Sequence, residues 1–334
     1  MTVTSDRKKI PIIWNVLKIV VALLLVGFVL SRTDLEQIPV LFKNTSIFWL
    51  VIYATLFLSL TLLKAFQYYI LVGRDVAYPR VLNVVVMQNA ITNYLASSAG
   101  IVSYLALFRA EHGVKVSRSV IIFLLTKIGD LIIVWLALCV SSLLVWRTIE
   151  VFHSLIVVLA IGIGLVLLVF FLTVLFRQKF VSLLGKIMDS LRLSRLSLVQ
   201  KGMSTLETLS EIELGRVTRT LGVALLLSTI YFVVSVLWIY SGFRTFNFQQ
   251  DLRAVVFVTV ILQLVSYIPV HVFGGLGITE TSVLYFWNPF DIPQAELASV
   301  MLGLRILFYL LNLLPLIYLP VYTLFFGTKS DFSE

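Results

Sequence analysis

Ser97-Ser98-Ala99-Gly100 and Gly274-Gly275-Leu276-Gly277 interrupt two apolar stretches of this chain in the same way. The apolar segments flanking each run of small residues are too short to stand as two independent membrane crossings. Asn93 and Arg109 lie around the first break, His271 and Glu280 around the second. Non-helical backbone is tolerated at membrane depth only where it is buried in protein or lines a cavity, because unpaired N–H and C=O groups are costly in hydrocarbon. A matched pair of broken segments in two halves of a chain is a sequence mark of a transporter-like site. The expected fold is all-α: a polytopic transmembrane helix bundle with two re-entrant, broken-helix hairpins forming an inverted repeat.

Composition agrees with a membrane setting. Of 334 residues, 60% are hydrophobic and 13% charged, and mean hydropathy is +1.02. The charged share is about half that of an ordinary soluble domain, too few to cover a soluble surface. A bundle of this size leaves no room in 334 residues for a large soluble catalytic domain. One cysteine, Cys139, excludes an intramolecular disulfide and a cysteine metal site. His112, His153 and His271 lack metal-ligand spacing, so neither a metal nor another cofactor is expected. The net charge of +9 is assigned to topology rather than to nucleic acid, since basic residues concentrate in cytoplasmic loops.

A bilayer core takes roughly 20 apolar residues per helix. Segments 12–30, 47–72, 119–146, 153–176, 217–242 and 298–326 qualify. Arg7, Lys8 and Lys9 precede the first, and the following Ser31-Arg32-Thr33 lacks a small-residue cleavage pattern, so an uncleaved helix is expected there. The basic residues put both termini in the cytoplasm and make this a multi-pass protein of the inner or plasma membrane. They agree with one topology if 81–108 dips in from the cytoplasm and 254–287 from outside. Two tilted full spans per hairpin leave the other loops with the same orientation.

The chain thus divides within a single integral membrane domain, 1–334, into a first half of about 1–176, a linker 177–216 and a second half 217–334. Phe180, Leu183, Leu184, Ile187, Met188 and Leu191 in the linker follow helical spacing, with Lys186 and Arg192 on other faces. That pattern predicts an amphipathic helix at the cytoplasmic interface, suited to anionic lipid or to docking an enzyme partner.

Ionisable residues inside spans are expensive and mark functional sites. Lys127 and Asp130 share a face of the third span, where mutual pairing is the plain alternative to ligand binding. Glu280 and Arg305 are expected to pair and brace the second hairpin against the last helix. Arg109 is an interfacial anchor or a phosphate ligand, and Lys64 is expected to snorkel to the headgroups. Guanidinium groups grip phosphate through parallel hydrogen bonds, and helix N-termini at small-residue tips attract anions. Glu280 there could equally cap its helix. His271 is the one histidine beside a break, open to proton coupling or to simple hydrogen bonding.

Asn93-Tyr94 through Ser98-Ala99-Gly100, Leu107-Phe108-Arg109 and Lys127-Ile128-Gly129-Asp130, then Ile268-Pro269 through Phe273-Gly274-Gly275-Leu276-Gly277-Ile278-Thr279-Glu280 and Arg305, carry a family resemblance. In order and separation they resemble the flippase-like membrane domain of lysylphosphatidylglycerol synthetases, over nearly the whole chain. The chain departs from that pattern by lacking a proline before the first tip and the Gly-Glu or Gly-Asp after it. Thr126-Lys127 stands where Glu-Arg is usual, and Val272-Phe273 replaces a second proline.

The resemblance implies translocation of an anionic phospholipid or a polyprenyl-phosphate-linked lipid between leaflets, transport rather than catalysis. The expected substrate-binding residues are Asn93, Ser97, Ser98, Gly100, Arg109, Lys127, Asp130, His271, Gly274, Gly275, Gly277, Glu280 and Arg305. The rival readings are a membrane glycosyltransferase or other transferase using a polyprenyl-phosphate donor, and an accessory subunit of a lipid-modifying synthase. The partners expected are the bilayer and an anionic lipid or lipid-linked sugar, with no nucleic acid.

Overall fold

A computed structural model describes residue 27 and residues 37–72, 76–94, 116–190, 196–210, 214–267 and 273–326. Apart from Gly27, the first expected span lies outside these residues, as do the first small-residue break, Arg109 and His271. No strand occurs among the described residues, and the chain is an all-helical, multi-pass membrane protein.

Twelve helices of more than three residues are described. They are α1 (Gln37–Lys43), α2 (Ile47–Val72), α3 (Tyr78–Tyr94), α4 (Val116–Leu144), α5 (His153–Phe176) and α6 (Gln178–Ser190). They continue with α7 (Ser197–Ser210), α8 (Leu214–Thr245), α9 (Leu252–Ser266), α10 (Ile278–Trp287), α11 (Gln294–Leu316) and α12 (Tyr318–Phe326). Five apolar stretches among them, in α2, α4, α5, α8 and the α11–α12 run, are long enough to cross a membrane. Their boundaries fall within a few residues of the expected spans, except that the last is interrupted at Ile317. Pro320 accounts for the interruption, because it supplies no N–H to the Leu316 carbonyl and crowds the turn before it. The short α1, packed against α11, has no counterpart in the sequence reading.

The centre of the bundle is α8, which runs along α2 and also contacts α4 and α9. Helices in lipid gain little from hydrophobic segregation, so close approach through small residues carries much of their association. Gly129 faces Ala224 and Ser228 across α4 and α8. A β-carbon on Gly242 would lie 2.9 Å from both Tyr53 and Leu304, and one on Gly303 would lie 2.8 Å from Phe246. Around these contacts a core of Phe243, Phe257, Trp287, Leu138 and Leu297 is almost wholly buried. The outward faces of α4 and α5, with Leu143, Val158, Ile161 and Leu165, are apolar and exposed. That surface suits acyl chains, whereas water would make it an aggregation site.

One end of the bundle is marked by a polar basin of about 610 Å³, lined by Thr148, Asn247, Gln249, Asp251, Asp291 and Glu296 among others. Ser46 N–H donates to Thr245 O at 2.9 Å, which joins the start of α2 to the finish of α8. Asp251 caps α9 by accepting from Arg253 N at 2.9 Å. Its carboxyl is held below the usual carboxylate range by hydrogen bonds from Arg253.

The helices on either side of the second break both have their outer ends at this basin. α9 leads away from it, and α10, packed against α9, leads back. With 10 residues, α10 rises about 15 Å, half the roughly 30 Å of a hydrocarbon core.

The linker forms the expected amphipathic helix, α6, followed by a second, α7, packed on it and on α5. Leu184 and Met188 of α6 are half-buried, while Leu183 and Ile187 remain exposed.

Candidate functional site

The second break is built by glycines that no other residue replaces without strain. Gly274, Gly275 and Gly277 have φ of 64°, 81° and 81°, in the left-handed region where a β-carbon is unfavourable. The chain turns through Phe273–Gly275 and enters α10 at Ile278. Glu280 in the first turn reaches back, its Oε2 accepting from Gly277 N–H at 2.7 Å. This is the acidic half of a capping box.

Its Oε1 accepts from Arg305 Nε at 2.5 Å, and Arg305 Nη2 completes the ion pair. Arg305 Nη1 donates to Gly274 O at 3.0 Å, and the guanidinium carbon lies 5.3 Å from the Phe308 ring centre. The expected pair thus braces the glycine turn and the start of α10 against α11. Both side chains are almost fully buried, 2% exposed for Glu280 and 9% for Arg305. Loss of either partner from such a fully hydrogen-bonded buried pair would strand the other charge, and the intact pair leaves little charge to offer a ligand.

Residues leading into the first break dock on the second. Asn93 Nδ2 donates to Asn312 Oδ1 at 2.6 Å, and Tyr94 OH donates to Tyr309 O at 3.0 Å. Tyr309 OH in turn donates to Phe273 O at 2.7 Å. A β-carbon at Gly274 would stand 3.1 Å from Asn93 O. Asn93 is therefore drawn to the glycine turn, with its amide engaged by α11.

A second charged centre lies between α2, α4 and α8. Asp130 Oδ2 accepts from Lys64 Nζ at 2.8 Å, and Oδ1 accepts from Ser228 Oγ at 2.7 Å. Lys64 also donates to Gln67 Oε1 at 2.8 Å, and Gln67 Nε2 donates to Ser228 Oγ at 3.0 Å. The Lys64 side chain is 14% exposed, so it turns into the bundle instead of snorkelling. The desolvated Asp130 carboxylate recruits it, which corrects the sequence expectation. Lys127, the in-helix neighbour, approaches Asp130 Oδ2 only to 3.9 Å.

These groups border a cavity of about 280 Å³ whose wall includes Lys64, Lys127, Asp130, Tyr231, Gln263 and Tyr267. A smaller one of about 140 Å³ borders Gly274, Glu280 and Arg305. Trp238, Ile239, Leu262 and Thr279 belong to both walls. The indole N–H of Trp238 is buried without a hydrogen-bond partner among the described residues.

Of the sequence candidates, Lys127 and Asp130 line the larger cavity, and Gly274, Glu280 and Arg305 the smaller. Gly275 and Gly277 shape the turn, and Asn93 abuts it. Ser97, Ser98, Gly100, Arg109 and His271 lie outside the described residues. Lys64, Gln67 and Ser228 are absent from the sequence candidates. The signal for the first two was available, since Lys64 and Gln67 stand three apart on one face of an otherwise apolar span. Among the described residues no cluster of His, Cys, Asp and Glu suits a metal ion.

The family profile described as lysylphosphatidylglycerol synthase TM region matches residues 15–315. No curated protein and no solved structure matches the chain. The matched span takes in both broken segments, the two charged centres and every described spanning helix except the tail of the last. The chain therefore belongs to the lysylphosphatidylglycerol synthase TM region family.

Proposed function

We propose that this protein is a membrane lipid translocase that moves a phosphate-bearing lipid, an anionic phospholipid or a polyprenyl-phosphate-linked lipid, between leaflets. The observation that carries this reading is the 280 Å³ cavity walled by Lys64, Lys127 and Asp130 within helices of membrane-spanning length. Charges at that depth cost about 2.5–3.5 kcal/mol each on insertion scales, a cost that structural packing alone gives no reason to incur. The adjoining cavity at the glycine turn shares Trp238, Ile239, Leu262 and Thr279 with it and lengthens the internal space across the bundle, so a headgroup can travel inside while its tails remain in lipid.

In this reading α9 and α10 form a re-entrant hairpin, which the half-bilayer length of α10 supports. The first break forms its inverted counterpart, the site lies in the cell membrane, and both termini face the cytoplasm. Glu280 and Arg305 act chiefly as the brace that holds the turn open.

The test uses the purified full chain in liposomes carrying trace lipids labelled on an acyl chain, with a membrane-impermeant quencher added outside. Translocation makes the inner-leaflet label accessible within minutes, whereas protein-free liposomes keep the whole inner-leaflet share protected for hours. Labelled anionic phospholipid, polyprenyl phosphate and polyprenyl phosphohexose that all stay protected would refute the proposal.

A further inference from the structure

The larger cavity carries a charge imbalance that defines what can occupy it. Asp130 is fully engaged, one oxygen by Ser228 and the other by Lys64. Its negative charge is thereby assigned to Lys64, which lies at 2.8 Å. Lys127 is left over. Its ammonium approaches Asp130 no closer than 3.9 Å and has no hydrogen-bond partner among the described residues. Its side chain is 39% exposed.

Aromatic rings flank this ammonium, Phe123 with its centre at 5.8 Å and Tyr267 at 5.5 Å. Ring faces attract a cation but accept none of its three N–H bonds in the manner of an oxygen. Other donor-bearing side chains gather on the same wall, namely Gln263, Tyr231 and Tyr267. Among the described residues, the wall offers one surplus positive charge, several donors and no free carboxylate.

Resting on the translocase reading above, we propose that Lys127 is the group that meets the lipid phosphate, and that the cavity selects headgroups bearing one net negative charge. A phosphodiester fits. Its single charge neutralises Lys127, its two unesterified oxygens accept from Lys127 and the neighbouring donors, and the Lys64–Asp130 pair stays intact. A zwitterionic headgroup brings an ammonium for which no carboxylate is free. An aminoacylated, net-positive headgroup sets further ammoniums against Lys127. A phosphate monoester dianion leaves one negative charge uncompensated unless Lys64 abandons Asp130. The phosphodiester can belong to a glycerophospholipid or to a polyprenyl lipid bearing a phosphate-linked sugar.

The experiment compares five tail-labelled lipids in liposomes containing the full chain: phosphatidylglycerol, a polyprenyl phosphohexose, a polyprenyl phosphate, phosphatidylethanolamine and lysylphosphatidylglycerol. The expected result is that at least one of the two phosphodiesters with net charge −1 moves ten or more times faster than the other three. Which of the two moves identifies the source of the phosphodiester. Lys127→Gln lowers that preferred rate about tenfold and flattens the ranking, while Lys127→Arg retains the preference. If phosphatidylethanolamine, lysylphosphatidylglycerol or polyprenyl phosphate crosses as fast as the phosphodiesters, or if Lys127→Gln keeps the wild-type preference, the charge selection is wrong while translocation stands. If none of the five crosses, the translocase reading falls and takes this inference with it. The wild-type ranking decides the matter even where the Lys127→Gln protein fails to fold.

Discussion

Glu280 and Arg305 show how a membrane interior disposes of charge. The carboxylate is held by a backbone N–H and a guanidinium, and the guanidinium by the carboxylate and a turn carbonyl. Removing one partner leaves the other buried and uncompensated, which costs about 3–5 kcal/mol. Glu280→Ala is therefore expected to lower the detergent melting temperature sharply, and Glu280→Gln to do so less. The double variant Glu280→Gln with Arg305→Met should recover part of the loss, because neither charge then remains. A double variant less stable than either single one would contradict the pair's role as a brace. The spacing of a glycine turn, a first-turn carboxylate and a downstream arginine made this pair legible in the sequence. The Lys64–Asp130 pair was not legible, because its partners lie 66 residues apart on different helices and a nearer lysine competes for the same carboxylate. Sequence distance favours Lys127, and only the packing of α2 against α4 reverses the choice.

Helix contacts explain which glycines the elements need. Gly303 lets α11 lie against Phe246, where an added methyl would meet the ring at 2.8 Å. Gly222 of α8 has nothing within 4 Å of the same position. Gly303→Ala is expected to destabilise by about 1–3 kcal/mol through overpacking. Gly222→Ala should be neutral or slightly stabilising, since alanine is the better helix former by roughly 1 kcal/mol. Thermal unfolding in one detergent compares them, and equal losses would remove the packing argument. The start of α9 responds to pH. Arg253 depresses the Asp251 pKa, so the cap's contribution is complete above the unfolded value of about 3.9. It disappears as pH falls through the lower folded value. Amide exchange at Arg253 should thus accelerate only in strong acid in the wild type, and at neutral pH in Asp251→Ala. Helix existence and type were legible from apolar run length, and the α6 stripe from its spacing. The short α1 was not, because 7 residues carry too little periodicity, nor was α7, whose sparse apolar residues mark a fainter stripe than that of α6.

At the scale of the whole molecule, the depth of the glycine turn decides between a dipping hairpin and two full crossings. Asp251 and Asp291, which flank α9 and α10, line the same basin as Thr148. Both topologies put these residues on one face, so labelling them fixes orientation and leaves depth open. The turn itself discriminates. Cys139 is the single native cysteine, so Cys139→Ala supplies a background for cysteines placed at Thr148, Gln178, Phe273 and Asp291. A bulky, membrane-impermeant maleimide added from either side is expected to reach Thr148→Cys and Asp291→Cys from one face, and Gln178→Cys from the other. Phe273→Cys should react slowly from both, because α10 returns to the basin end within about 15 Å. A small charged thiosulfonate able to follow the polar cavity should react at Phe273→Cys at least tenfold faster than the bulky reagent. Labelling of Phe273→Cys at the rate of Gln178→Cys, from the same face and with the bulky reagent, would place the turn outside the hydrocarbon. The two cavities would then cease to form an internal route for a headgroup, whatever the charges on their walls.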